Sequence, residues 1–249
     1  MADQKLRIVI EANDKASKKI KGITKSLDSV GQAAGVAGRQ LAMIGAPIAI
    51  AGGLAIKTFV DLGVTTNLTS DEAATAMARI ANVTGLPAAE FENLGSALVD
   101  LGNNMATTEG EILHFSTRIA ATGDLAGLTQ ADILAIGAAM TAVGVQAEAG
   151  GTAVQKVLIS MTQASATGGK QLDEFAKVAG VSSDEFKRLW KDDASEAFAL
   201  FIEGLKSGGD EAFTMLEELG LQDIRATRSL LALSNAGDEL RNAFTRSNA

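Results

Sequence analysis

The spacing of apolar positions changes along the chain. Leu6, Ile8 and Ile10 alternate with Arg7, Val9 and Glu11, which predicts a short N-terminal β-strand. From about Lys15 the period lengthens. Ile20, Ile23, Leu27 and Val30 recur at spacings of three and four, one narrow stripe of an amphipathic helix, with Asn13 and Asp14 as caps. A lone strand and one helix leave apolar faces uncovered, so this arm is expected to pair with another copy of the chain or with another protein.

Between Arg39 and Lys57 charge disappears for 17 residues, QLAMIGAPIAIAGGLAI. Leu41, Ile44, Ile48, Ile50, Leu54 and Ile56 supply apolar bulk, while Gly45, Pro47, Gly52 and Gly53 weaken a helix in water. A bilayer-spanning helix needs roughly 20 residues. Two readings stay open: a buried or oligomer-forming segment, and a segment that enters a membrane.

From Thr69 onward the pattern predicts short helices. Thr69 with Glu72, Thr108 with Glu111 and Ser182 with Glu185 have capping-box spacing. Pro87 fits a first helical position. Glycines 85, 102, 123, 144 and 180 read as stops. The loops are short, so sequential helices are expected to pack as hairpins. Gly85–Gly102 aligns without gaps on Gly127–Gly144 at an offset of 42 residues, with six of 18 positions identical. This suggests a helix-pair unit used at least twice, with Gly95 and Gly137 at close crossings. The fold class expected is mainly α, with helical hairpins, a 42-residue repeat and one N-terminal strand. The divisions expected are 1–38 (strand and basic helix), 39–66 (apolar small-residue segment) and 67–249 (helical core).

Composition narrows function more by exclusion than by assignment. Of 249 residues 44 are Ala and 26 Gly; there are no Cys, one His and two Pro. A disulfide framework, a thiol nucleophile and a Cys-based zinc site are therefore absent. The 22 Lys+Arg and 30 Asp+Glu give a net charge of -8, against a general nucleic-acid binder. Residues 1–40 carry eight cations and four anions, a balance of +4, so the other 209 sum to -12. The start MADQKLRIVIEANDK lacks an export signal, so synthesis in the cytoplasm is expected.

Candidate chemistry is sparse. His114 falls inside a predicted helix without a spaced partner, more often a structural than a catalytic setting. ATGGKQ (166–171) lacks the hydroxyl residue and opening Gly of a phosphate loop. The carboxylate neighbours Asp192/Asp193 and Glu217/Glu218 point to different helix faces. Phe175, Phe186, Trp190, Phe198, Phe201 and Phe213 read as a helical core. No nucleophile, base and oxyanion site come together, and no enzyme activity, cofactor or metal is expected.

The run Leu101–Met161 resembles the core of phage tail tape measure proteins. It is carried by EGEI at Glu109, ADILAIGAAM around Asp132 and VGVQAEAGGTAVQKVL, with Gly144, Glu148, Gly150, Gly151 and Thr152 as the core motif. The resemblance, more weakly, extends from about Leu6 to Asn248. It implies a structural virion component in the tail lumen that acts in tail assembly, tail length determination and genome delivery. The implied partners are further copies of the chain, often as a trimer, tail tube and tail tip proteins, and tail assembly chaperones. It also implies entry of an apolar segment, here residues 40–56, into the host inner membrane. No specific nucleic acid is implied. A tape must be long and this chain has no long heptad rod, so it reads either as a fragment of a longer protein or as a short protein that keeps only the core domain. A membrane-active, channel-forming helical protein is the alternative.

Overall fold

A computed structural model of the chain describes residues 70–87 and 90–248, and the described residues form helices and connecting turns without a strand. The expected strand, the basic helix and residues 40–56, with Leu41, Ile44, Ile48, Ile50, Leu54 and Ile56, lie outside the described residues, as does Thr69. The helices are α1 (Ser70–Thr84), α2 (Phe91–Asn104), α3 (Glu109–Leu125), α4 (Gln130–Ala142), α5 (Ala147–Thr167) and α6 (Lys170–Ala179). They continue as α7 (Ser183–Asp192), α8 (Ala194–Gly208), α9 (Ala212–Glu218), α10 (Ile224–Asn235) and α11 (Gly237–Ser247).

α4 is the centre of the first half. Its run ILAIGAAM, Ile133 to Met140, is buried on every face. A helix apolar all round needs neighbours all round, and α4 packs against α2, α3 and α11, with a lighter contact to α10. α3 in turn carries α1 and α5. Thus α1 lies on α3, and α11 lies on α4, across long stretches of chain. Sequential hairpins account for only part of the packing: α3 with α4, α6 with α7, and α7 with α8.

α6, α7 and α8 enclose an aromatic core. Phe175 stacks on Phe186 with ring centroids 6.0 Å apart and meets Phe201 edge-on at 5.5 Å. Phe186 and Trp190, one turn apart on α7, stack at 6.5 Å. Phe198 is fully buried beside them in the same apolar core. Phe213 departs from expectation: it points outward from α9 and is 61% exposed, because Ala212 and Leu216 occupy that helix's buried face.

Helix ends follow local chemistry. Thr108 and Glu111 form a reciprocal capping box, and so do Thr129 and Asp132, a pair with Asp in place of the usual Glu. Ser182 accepts the Glu185 amide at α7. Asp193 and Asp223 cap α8 and α10 in the same manner. At Gly127, φ is +86°, and the Leu128 amide reaches back to Gly123 O at 2.9 Å. This is the Schellman closure, in which a left-handed residue turns the chain and its apolar successor folds onto the helix it has left. Gly85, Gly144 and Gly180 close helices likewise.

Three boundary expectations need correction. Gly102 lies inside α2 and Gly123 inside α3, and each helix runs on for two more residues. Their missing side chains leave room for Glu109 and Ile133, respectively. Pro87 does not begin an α-helix: its carbonyl accepts the Glu90 amide at 2.9 Å and α2 starts at Phe91. The two aligned 18-residue segments share a Gly-Leu opening turn and a buried apolar register. They part at their ends, since Gly144 has φ +75° where Gly102 is helical. They differ also in setting, α4 being buried all round while α2 exposes Glu92, Asn93 and Ser96.

Candidate functional site: the crossing built by Gly144–Thr152

The five residues of the core motif fall at one place, the turn from α4 into α5 and the first turns of α5 where that helix crosses α3. Gly144 ends α4, and the Val145 amide donates to Met140 O at 3.0 Å. The chain then reverses within two residues to start α5 at Ala147.

Gly150 and Gly151 set how near α5 lies to α3. A methyl on Gly150 would stand 2.5 Å from Val145 Cγ1, 2.8 Å from Phe115 Cε2 and 2.9 Å from Met140 Cε. One on Gly151 would stand 3.3 Å from both Cβ and Cδ of Arg118. The bare backbone of Gly151 therefore seats the aliphatic stem of Arg118. So laid, the guanidinium reaches Glu148, with Nη2 donating to Oε1 at 2.6 Å. Gln155 Nε2 adds a bond to the Arg118 carbonyl at 2.5 Å. Thr152 Oγ1 donates to the Glu148 carbonyl at 2.9 Å. The motif's parts thus have separate jobs: a turn residue, two backbone clearances, an ionic tie and a helix-internal hydroxyl bond.

Glu148 is held in its charged form. Its carboxyl lies below the usual range, first because it accepts a bond from its own backbone amide; desolvation, the next largest influence, opposes this, and the nearby Arg118 and His114 add to the lowering. His114 Nε2 is 3.9 Å from Glu148 Oε1, beyond hydrogen-bond reach, and its side chain is 62% exposed. A groove of about 400 Å³ opens beside the turn between Glu111, His114, Thr141 and Glu148. Glu111 is engaged in the capping box at Thr108. Thr141 bonds Thr107 at 2.7 Å and the Gly137 carbonyl at 2.8 Å. These side chains fasten helices; none is set against another as base and nucleophile. Among the described residues no three or more His, Cys, Asp or Glu side chains gather as a metal site, and no helix is long and apolar enough to cross a membrane.

The same device recurs at Gly137, where α4 meets α3. A methyl there would stand 2.6 Å from Ser116 Oγ and 3.1 Å from Ile112 O. Ser116 uses the closeness to donate to Ile133 O at 3.2 Å.

A second cluster escapes the sequence pattern. Arg241 of α11 extends its guanidinium between Glu196 and Glu203 of α8. Nε donates to Glu203 Oε1 at 2.6 Å and Nη2 to Glu196 Oε1 at 3.1 Å, while Nη1 pairs with Glu196 Oε2. The hydrogen bonds to Glu203 and then Glu196 hold Arg241 protonated even more firmly than usual. Glu196 and Glu203 are seven residues apart on one helix face, a spacing that could have drawn notice, but their partner lies 38 residues beyond.

Comparison with known proteins places the chain in a family. The family model for phage-related minor tail protein matches residues 13–219, which include the whole α3–α5 crossing. A protein of Halomonas phage phiHAP-1 named "Probable tape measure protein" is 26% identical over 148 residues, 59% of this chain. The chain spans 17% of that relative's length. No solved structure matches it. With the family model covering most of its length, the chain belongs to the phage-related minor tail protein family.

Proposed function

We propose that this chain is the folded core of a tape measure-type tail component that acts in tail assembly, tail length determination and genome delivery. The observation that carries the reading is the likeness to the Halomonas phage relative, together with the motif Gly144, Glu148, Gly150, Gly151 and Thr152 at the central helix crossing. On this reading the chain works as a structural part of the virion, in the tail lumen. Its partners are further copies of itself, the tail tube and tip proteins, and the chaperones of tail assembly.

The helices bear on how such a core would serve. The longest described helix has 21 residues, about 32 Å at roughly 1.5 Å per residue. A folded-back bundle of such helices offers surfaces for docking, whereas spanning a tube belongs to extended sequence elsewhere in a longer protein. We assign residues 67–249 the docking role. The uncharged residues 40–56 keep the membrane reading alive as a second function, in entry through the host inner membrane.

The test is made in tails. Particles from a phage carrying this gene are purified, stripped and analysed by mass spectrometry, and tail lengths are measured by electron microscopy. Peptides of this chain in tails, and failure of tail assembly when α3–α5 is deleted, are the expected results. Normal tails that lack the chain would overturn the reading. For the membrane function, liposome leakage by the wild type is compared with Ile50→Asp; equal leakage removes the segment from consideration.

A further inference from the structure

α11 is fastened unlike the helices it covers. A single residue, Ala236 (φ -113°, ψ 36°), separates it from α10. Even there the helical pattern is only bent: the Ala236 amide donates to Leu233 O at 3.0 Å, and its carbonyl accepts the Leu240 amide at 3.3 Å. No proline occurs between Ile224 and Ser247. Gly237 is uncrowded, since a methyl on it would meet nothing nearer than Glu203 Cγ at 3.8 Å. Turning Ala236 to helical angles would make α10 and α11 one helix of about 36 Å at roughly 1.5 Å per residue.

What keeps α11 folded back is a set of side-chain ties. Arg241 forks onto Glu196 and Glu203. Arg246 Nη1 meets Asp100 Oδ2 at 3.2 Å, and Lys206 Nζ meets Asp238 Oδ2 at 3.7 Å. Asn248 Nδ2 donates to Asp132 Oδ1 at 3.1 Å. Apolar contact comes from Leu240, Ala243 and half-buried Phe244. Beneath lies α4, whose run Ile133–Met140 is apolar on every face. An opened α11 therefore leaves a bare apolar stripe and five charged groups, Glu196, Glu203, Asp100, Lys206 and Asp132, that each lose a contact. The element that fits this vacancy residue for residue is another α11.

We propose that α11 is an exchangeable element: two copies of the chain dock it on each other's α4 and α8. Every tie made within one copy is then remade between two, and the straightened hinge adds helical hydrogen bonds, the low-cost route to a closed dimer. The proposal stands independently of the tail function, since it needs only this chain.

The test uses full chains with complementary charges. One copy carries Arg241→Glu. The other carries Glu196→Lys and Glu203→Lys. Either alone loses the clasp both within a copy and between like copies. Mixed, they restore both clasps only by exchange, so a heterodimer is expected by native mass spectrometry and light scattering. Circular dichroism establishes that each variant is folded, and a chain with all three substitutions shows that the reversed clasp is tolerated. Folded variants that stay monomeric when mixed overturn the proposal, as does equal dimer formation by either variant alone. Gly237→Ala gives a reading in the otherwise wild-type chain. Gly237 is the first residue of α11 when closed and a helix interior when open, where Ala is favoured about fivefold. A rise of about that size per hinge in the dimer constant is expected, and no rise overturns the proposal even where the charge variants do not fold.

Discussion

Two regions fasten helices in opposite ways. At the crossings of α3 with α4 and α5, and of α6 with α8, helices come close because a glycine offers no side chain; the grip is short-ranged contact that salt does not touch. Across α11, long side chains bridge from a distance beside the apolar contact of Leu240 and Ala243, and their share of the grip is electrostatic and half in water. A close crossing depends on a volume of one methyl and tolerates no drift. A clasp depends on charge, lets its helix move, and weakens with ionic strength. The first kind suits a body of fixed shape, the second an element that changes partners.

The contrast breaks hardest at Gly204. A Cβ there would overlap the carbonyl oxygen of Val178, and a backbone atom cannot turn aside. Gly204→Ala gains about 1 kcal/mol in helix propensity, but forcing α6 and α8 apart against a backbone atom costs about 3 kcal/mol, the upper end for overpacking. A net loss of about 2 kcal/mol is expected, read as a lower urea midpoint at unchanged slope. A neutral or stabilising Gly204→Ala would mean that α6 and α8 do not meet through backbone.

At Gly150 the obstacles are ends of side chains, Val145 Cγ1, Phe115 Cε2 and Met140 Cε. These can shift, so Gly150→Ala is expected to cost less, about 1 kcal/mol after the propensity gain. Combining it with Val145→Ala removes the nearest obstacle, and the pair is expected to be less harmful than the sum of the two single changes. Strict additivity in thermal denaturation would show that the methyl is not what the crossing refuses.

The clasp comes third. Arg241 and both its carboxylates are more than a third exposed or close to it. Discounted for that exposure, Arg241→Ala is expected to cost about 1 kcal/mol or less. Its distinguishing sign is salt: the difference from wild type should shrink toward nothing near 1 M, where screening acts within about 3 Å, while the Gly204→Ala difference persists. Equal salt behaviour of the two variants would erase the contrast.

What the sequence makes legible divides along the same line. Thr108–Glu111, Ser182–Glu185 and the stops at Gly85, Gly144 and Gly180 were readable because caps and left-handed turns are local chemistry. The motif at Gly144–Thr152 stood out through resemblance, yet its partners Phe115 and Arg118 lie a helix away and nothing in its spacing names them. Gly102 and Gly123 misled because a glycine that admits a neighbour's side chain looks, in one dimension, like a glycine that ends a helix. The aromatic neighbours of Phe213 in sequence point to the core, whereas its helix turns it outward. The Arg241 clasp was invisible, since it joins residues 38 and 45 apart.

The smallest effect lies where the two kinds of fastening meet, at Glu148, an ionic tie laid over a glycine crossing. Its folded carboxyl titrates below its ordinary value of 4.5, the backbone amide being the largest cause and Arg118 the next favourable one. A lowered folded value means that the unfolded chain takes up its proton first as acid is added. The contribution is therefore whole above the unfolded value and is lost as pH falls through the folded one. Wild type should exceed Glu148→Gln in melting temperature at neutral pH, with the gap closing below pH 4.5. Asp223, also lowered, chiefly by the Ala226 amide, ordinarily titrates at 3.8, so its loss with Asp223→Asn should follow at lower pH. Gly151→Ala should narrow the Glu148 gap at neutral pH, because a methyl 3.3 Å from the stem of Arg118 displaces the guanidinium that meets the carboxylate. If the gap survives that change intact, the glycine and the ion pair act separately and the motif is two features side by side.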